Sequence, residues 1–200
     1  AGSALFVVIN LLGLGRAEKW RQNDGELKIL IAQGNVGNYE KLIVEQQKNF
    51  IYPIINTYTK LSSQGFEWHP EATHVLWPET AFPDFLDNSF QGQQSWTMLQ
   101  QYAKIRGKMI LTGAYSHDRE KRETYNGFFA MESDGTIRTP PYRKSILIPF
   151  GERFPFSDII PYMKWLFPGL GSFGSGAGPT TMDLGDFKLG PQICLESLYP

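Results

Sequence analysis

Short apolar runs alternate with helical patterns over the first half of the chain, and this alternation constrains the fold more than any other feature. The runs at 27–33, 74–77 and 109–114 have the length and composition of buried strands. Between them, apolar residues recur at three- and four-residue steps over 43–61 and 96–105, as in amphipathic helices. Strands that alternate with helices are typical of α/β proteins, so an α/β fold is predicted.

Helical periodicity disappears in the second half, where 125–131, 145–148 and 187–194 are predicted strands. The whole chain has 200 residues, of which 42% are hydrophobic and 14% aromatic. A chain of this length and composition buries one substantial core, and we expect one domain, or most of one, over 27–200.

Charge and cysteine content exclude several classes of function. The chain has 19 basic and 20 acidic residues, and its net charge of −1 lacks the basic excess that is typical of nucleic-acid-binding proteins. A single cysteine, Cys194, excludes an internal disulfide framework and a cysteine-rich zinc site, and three scattered histidines at no ligand spacing leave few side chains to bind a metal. The sequence therefore predicts chemistry without a metal or other cofactor, and no nucleic-acid partner.

Residues 1–15 form a nearly uninterrupted apolar run. A membrane span needs roughly 20 such residues, and a signal peptide would have a basic start and a cleavage site. We interpret this run as the end of a transmembrane helix that begins upstream, followed by a juxtamembrane linker at 16–26. A buried core helix is the alternative.

Three reactive side chains stand where predicted strands end, which is where α/β folds usually place their sites. They are Glu79, Lys144 and Cys194. Each also has an ordinary structural interpretation. Glu79 could be a solvated loop acid or an acid at a helix N-terminus, Lys144 a lysine on an edge strand, and Cys194 a small core residue. Taken separately, each signal is weak.

Taken together, the segments around these residues resemble one family. Trp-Pro-Glu at 77–79, Tyr-Arg-Lys at 142–144 with Pro-Phe-Gly-Glu at 149–152, and Ile-Cys-Leu-Glu at 193–196 occur in this order. They are similar to the signature of the apolipoprotein N-acyltransferases, a bacterial membrane branch of the nitrilase superfamily. Further similar segments lie at 33–35, 111–113 and 125–126. The resemblance covers about residues 27–199.

The resemblance implies a nitrilase-type α-β-β-α sandwich that follows transmembrane helices. Because the chain stops six residues after Cys194, we expect the sandwich to be incomplete at its C-terminus. The family's Glu, Lys and Cys triad implies that Glu79 is the general base, Lys144 the oxyanion stabiliser and Cys194 the nucleophile. A free thiol is only a few per cent thiolate at neutral pH, so it needs such a base and cation.

Three neighbouring residues complete the expected site. Glu152 and Glu196 match two further family glutamates that support it; Glu152 is expected to pair with the Lys144 ammonium. The alternatives are a solvated loop acid for Glu152 and a helix cap for Glu196. Leu195 stands where the family usually has Tyr, but its backbone N–H remains available as a second oxyanion donor.

The stretch between the lysine and cysteine segments is rich in aromatic, Gly and Pro residues. Core packing is one interpretation. The other is a mobile lid that contacts lipid, with glycines at 169, 171, 174, 176 and 178 permitting its motion. The expected lipid-contacting residues are Trp165, Phe167, Leu170 and Phe173.

The resemblance implies transfer of an acyl chain from a phospholipid, through a thioester on Cys194, to the α-amine of a diacylglyceryl-cysteine apolipoprotein. The partners would be phospholipid, apolipoprotein and membrane. The location would be the bacterial inner membrane, with the catalytic domain on the periplasmic side. A soluble amidase that hydrolyses a carbon-nitrogen bond with the same triad is the first alternative. A non-catalytic scaffold or membrane-binding module with a buried Cys194 is the second.

Overall fold

The structure is a computed structural model that describes residues 2–20, 25–37, 51–153 and 173–199. Within these residues the helices are α1 (Gly2–Trp20), α2 (Ile51–Trp68) and α3 (Gln94–Arg106). The strands are β1 (Ile29–Ile31), β2 (His74–Leu76), β3 (Phe82–Phe85), β4 (Met109–Asp118), β5 (Glu123–Met131), β6 (Tyr142–Arg143), β7 (Met182–Asp183) and β8 (Lys188–Leu189). Short 3-10 helices occupy Asn88–Phe90 and Cys194–Leu198. The predicted α/β class is confirmed.

Strand β4 is the centre of a mixed sheet with the order β1-β2-β4-β5-β6. Strands β1, β2 and β4 are parallel, whereas β5 and β6 are antiparallel to their neighbours. Both β2 and β3 pair with β4: Leu76 lies opposite Leu111, and Phe82 lies opposite Ala114. The five residues between them interrupt this edge of β4, and the chain turns out of the sheet there.

Helices α2 and α3 cover one face of the sheet. The side chains of β4 alternate between faces, so Ile110 and Ala114 point into this helical layer. The layer also contains a buried polar contact, in which the Trp77 indole N–H donates to Ser62 Oγ at 2.8 Å. Buried members of the core include Ile55, Tyr58, Val75, Trp77, Trp96, Leu99, Phe129 and Met131.

The opposite face of the sheet carries a second core. Met109 and Leu111 of β4 pack there with Met182, Leu184 and Ile193 from the end of the chain. Strands β7 and β8 form a separate two-stranded sheet in this region. The described residues thus form a helical layer, a sheet and the start of a second strand layer.

The predicted strand at 145–148 is wrong, because its amides bond to side chains. The N–H groups of Ser145 and Ile146 donate to the Glu196 carboxylate, and that of Ile148 donates to Glu152. An amide that is bonded to a carboxylate cannot also enter a strand ladder.

The predicted strand at 187–194 is largely wrong, since only Lys188–Leu189 pairs as a strand. Pro191 lacks an N–H, and the N–H of Ile193 donates to Glu196. Cys194 therefore begins a 3-10 helix instead of ending a strand.

Helix α1 carries the apolar run at the start of the chain and continues to Trp20. Its side chains at 4–15 are exposed, and this exposure argues against the alternative interpretation, a buried core helix. Among the described residues, no helix combines the length and the apolar character that a membrane crossing requires. The boundaries at 1–15 and 16–26 stay predictions.

Candidate active site

Glu79 lies in the interruption between β2 and β3, directly after the Trp77-Pro78 pair. Its main chain crosses β4 so closely that a Cβ on Gly113 would lie 2.7 Å from Glu79 Cα and from Thr80 N. Thr80 adopts a φ of 51°, in the left-handed region. A glycine at 113 thus allows the segment that carries Glu79 to pass over the strand.

Replacing Gly113 with alanine should push this segment away from β4. Overpacking against backbone typically costs about 1–3 kcal/mol, and we expect a loss of that size in urea unfolding. Gly37→Ala is the matched control, because a Cβ there meets no atom of the described residues within 4 Å. Equal stability of the two variants would contradict the close approach.

Asn126 holds the Glu79 carboxylate; it lies in the similar segment at 125–126, but no role in the site was predicted for it. Its Nδ2 donates to Glu79 Oε1 at 2.6 Å, and its Oδ1 has no hydrogen-bond partner among the described residues. The residue is 3% exposed and lies on β5. The available signal was a polar amide within an apolar strand.

Lys144 is fully buried between two carboxylates, which excludes an edge-strand lysine. Its Nζ lies 2.8 Å from Glu152 Oε1 and 3.7 Å from Glu79 Oε1. The other Glu152 oxygen accepts the N–H of Ile148 at 2.9 Å. The expected Glu152–Lys144 pair is present, and Glu152 is not a solvated acid, because its side chain is 14% exposed. The Glu79 side chain, at 35%, remains accessible.

Cys194 is exposed, so it is not the core residue of the ordinary interpretation. It shares a cavity of about 560 Å³ with Glu79, and the rest of the lining is mainly apolar. Its φ of 52° is left-handed. Such backbone costs about 1–3 kcal/mol in a non-glycine residue and is concentrated at active sites. The structure thus places a thiol and a carboxylate on one cavity, and the same carboxylate beside a buried ammonium.

Glu196 is 4% exposed and does not line this cavity. One of its oxygens accepts the N–H of Ile193 at 2.9 Å, so the helix-cap interpretation is part of its role. The other oxygen accepts the hydroxyls of Tyr142 and Ser145, at 2.7 and 2.8 Å, and the N–H groups of Ser145 and Ile146. Glu196 therefore ties the loop after Lys144 to the segment that carries Cys194.

The same hydrogen bonds set the ionisation of this cluster. Burial acts to raise the pKa of Glu196, but the bonds from Tyr142, Ile193 and Ser145 outweigh it and hold the pKa below its ordinary value. Burial, with the hydrogen bond to Glu196, raises the pKa of Tyr142 to about 12. The carboxylate is therefore ionised and the phenol neutral at physiological pH.

We expect this lowered pKa to appear as an acid-dependent loss of stability. The contribution is fully present above the unfolded-state pKa, near 4.5, and disappears as the pH falls through the lower folded-state value. Urea unfolding between pH 7 and pH 3 should show the stability gap between wild type and Glu196→Gln narrowing below about pH 4.5. A gap that stays constant with pH would contradict the assignment.

The remaining predicted site residues fall into two groups. Leu195 is partly buried beside Cys194, and Phe173 is partly buried with its ring stacked on Tyr115 at 5.9 Å between centroids. Trp165, Phe167 and Leu170 lie outside the described residues. Within the described part of the chain, no three His, Cys, Asp or Glu side chains are placed to hold a metal ion.

Comparison with known sequences identifies relatives along nearly the whole chain. A Bdellovibrio bacteriovorus protein named apolipoprotein N-acyltransferase is 34% identical over an alignment of 197 residues, gaps included, that covers 94% of this chain. A Nostoc protein of the same name is 34% identical over an alignment of 203 residues, gaps included, that covers 99% of this chain. The chain spans 36% and 37% of the lengths of these relatives, about a third. No protein-family model matches the sequence.

Comparison with solved structures gives a fold similarity at low identity. A glutamine-dependent NAD+ synthetase from Acinetobacter baumannii has a TM-score of 0.50 at 14% identity, over 74% of this chain and 26% of that one. Nit3 of Saccharomyces cerevisiae, a member of the nitrilase superfamily, has a TM-score of 0.49 at 14% identity, over 70% and 48%. The sequence relatives confirm the resemblance: the chain is similar to the apolipoprotein N-acyltransferases over nearly its whole length.

Proposed function

We propose that this chain carries the active site of an acyltransferase that moves an acyl chain from a phospholipid to the α-amine of a diacylglyceryl-cysteine apolipoprotein. One observation carries the proposal: Glu79 shares a cavity with Cys194 and lies 3.7 Å from the Lys144 ammonium. Base, nucleophile and cation are the three groups that acyl transfer through a thioester needs. The names of the curated relatives support N-acylation of an apolipoprotein acceptor.

In the first half-reaction, the Cys194 sulfur attacks an ester carbonyl carbon of the phospholipid while Glu79 takes the thiol proton. The Lys144 ammonium and the Leu195 N–H stabilise the oxyanion of the tetrahedral intermediate. The carbon–oxygen ester bond then breaks, and Glu79 gives the proton to the departing lysophospholipid oxygen. A thioester remains on Cys194.

The positions of the charged groups suit these roles. Glu79 is held by Asn126 at one oxygen and is still 35% exposed, so substrate has access to it. Lys144 is fully buried, and Glu152 fixes its ammonium at 2.8 Å. The ion pair thus holds the ammonium in one place beside Glu79, and a fixed cation stabilises an oxyanion without having to reorganise during the reaction.

In the second half-reaction, the acceptor α-amine attacks the thioester carbonyl. An amide bond forms and the carbon–sulfur bond breaks. The amine proton passes to Glu79 and then to the Cys194 thiolate, which restores the starting state. We place this reaction at the bacterial inner membrane, on its periplasmic side, as the resemblance to the family implies.

Acylation of the purified protein by a radiolabelled phospholipid in detergent micelles tests the proposal. We expect a hydroxylamine-labile adduct that mass spectrometry locates on Cys194, that Cys194→Ala lacks, and that Glu79→Gln forms more slowly. A synthetic diacylglyceryl-cysteine peptide should discharge it faster than water does. Faster discharge by water would instead indicate an amidase, and a protein that forms no adduct would be a scaffold; either result overturns the proposal.

A further inference from the structure

Residues 173–176, which we term the strap, lie across the strands and the loop that present the buried ammonium. Each of the four residues makes one hydrogen bond to a main-chain carbonyl of that region. The bonds are Phe173 N–H to Glu152 O (3.0 Å), Gly174 N–H to Thr124 O (2.7 Å), Ser175 Oγ–H to Ser145 O (2.7 Å) and Gly176 N–H to Lys144 O (2.8 Å). The strap therefore bonds to the main chain of both partners of the Lys144–Glu152 ion pair.

Two glycines make this close contact possible. A Cβ on Gly176 would overlap the carbonyl group of Arg143, and a Cβ on Gly174 would lie 2.5 Å from the Tyr125 ring. Real Cβ atoms do not approach other atoms this closely, so a larger residue would have to displace the strap or its neighbours. Both glycines serve close packing in this structure, and their role in lid motion stays a prediction.

The main chain of Lys144 is held from both sides. Its N–H donates to Asn126 O at 2.8 Å, and its carbonyl accepts the N–H of Gly176 at the same distance. The preceding Arg143 is fixed as well: its guanidinium lies 4.3 Å from the centre of the Tyr125 ring and pairs with Asp118 at 3.1 Å. Without the strap, the downstream side of Lys144 would lose its main-chain partner.

We propose that the strap is a positioning element for the Lys144 ammonium, acting through Gly176. This inference rests on the proposed function, in which that ammonium stabilises the oxyanion. A misplacement of about 1 Å can cost about 10²-fold in rate, so a small shift of the Lys144 main chain has a large effect. Gly176 does not touch substrate, and it acts only through the lysine.

Gly176→Ala tests the proposal in single-turnover acylation of Cys194 by labelled phospholipid. We expect acyl-enzyme formation to slow by about 10²-fold, with the donor concentration for half-maximal rate unchanged. Alkylation of Cys194 by iodoacetamide should remain within about twofold of wild type, because that reaction forms no oxyanion. Gly25→Ala is the matched control, since within the described part of the chain a Cβ there has no neighbouring atom within 4 Å.

A double-mutant comparison separates positioning from general damage. If Gly176 acts through Lys144, adding Gly176→Ala to Lys144→Ala should slow acylation no further. Multiplying effects would overturn the inference, as would a wild-type rate in Gly176→Ala. If Gly176→Ala does not fold, Ser175→Ala replaces it in the same comparison, because it removes one strap bond and adds no atoms. We expect Ser175→Ala to slow acylation severalfold, and to have no effect in the Lys144→Ala background.

The outcomes also distinguish this inference from the proposed function. Loss of acylation in Lys144→Ala with a wild-type rate in Gly176→Ala would overturn the strap's role and leave the acyltransferase standing. Rapid acylation of Lys144→Ala itself would instead overturn the role that the proposed function gives to the ammonium.

Discussion

Replacing Lys144 with alanine is expected to slow acyl-enzyme formation by about 10²–10³-fold, the usual effect of removing one oxyanion donor. It should also destabilise the protein, because Glu152 would keep a mostly buried charge without its ammonium partner. Breaking a buried ion pair by removing one member typically costs about 3–5 kcal/mol. Single-turnover acylation and urea unfolding measure the two effects separately.

Matched variants separate the effect of the Lys144 ammonium on acylation from its effect on stability. Lys60→Ala, at an exposed position, should change neither measurement. Lys144→Arg should acylate poorly despite its charge, because the fully buried site does not accommodate the larger guanidinium. In a Lys144→Ala background, Glu152→Gln should restore part of the stability but none of the activity. Near-wild-type acylation by Lys144→Ala would contradict the role of the ammonium.

Glu196→Ala is expected to lower the free energy of unfolding by about 3 kcal/mol or more, since each unsatisfied buried donor costs about 1–3 kcal/mol. The substitution removes the acceptor for Tyr142, Ser145, Ile146 and Ile193 at once. Acylation should fall as well, because the loop after Lys144 and the turn at Cys194 lose their common anchor.

Urea unfolding at pH 7 measures this effect, and Glu120→Ala at an exposed turn position is the control. Glu196→Gln should recover only part of the loss, because its amide NH₂ would face several donors. A loss below about 1 kcal/mol for Glu196→Ala would be ordinary for a surface substitution, and would contradict the anchoring role.

Local sequence patterns predicted much of the framework. Strands β2, β4 and β5 and helix α3 lie close to their predicted positions. An apolar run reflects a strand that is buried in a sheet, and helical periodicity reflects a helix with one buried face. The predicted strands at 145–148 and 187–194 failed where carboxylates took the main-chain amides. A local pattern contains no information on which distant side chain will bond to an amide.

The sequence by itself determined the α/β class, the family resemblance and the residue types of the candidate site, since these depend on neighbouring letters. Only the tertiary structure decided that Asn126 holds Glu79, that Lys144 is enclosed by two carboxylates, and that Gly176 packs on the main chain before it. These contacts join residues from 8 to 65 positions apart, as the numbering shows. Their distances depend on how strands pair and loops pack, which is a property of the whole folded chain.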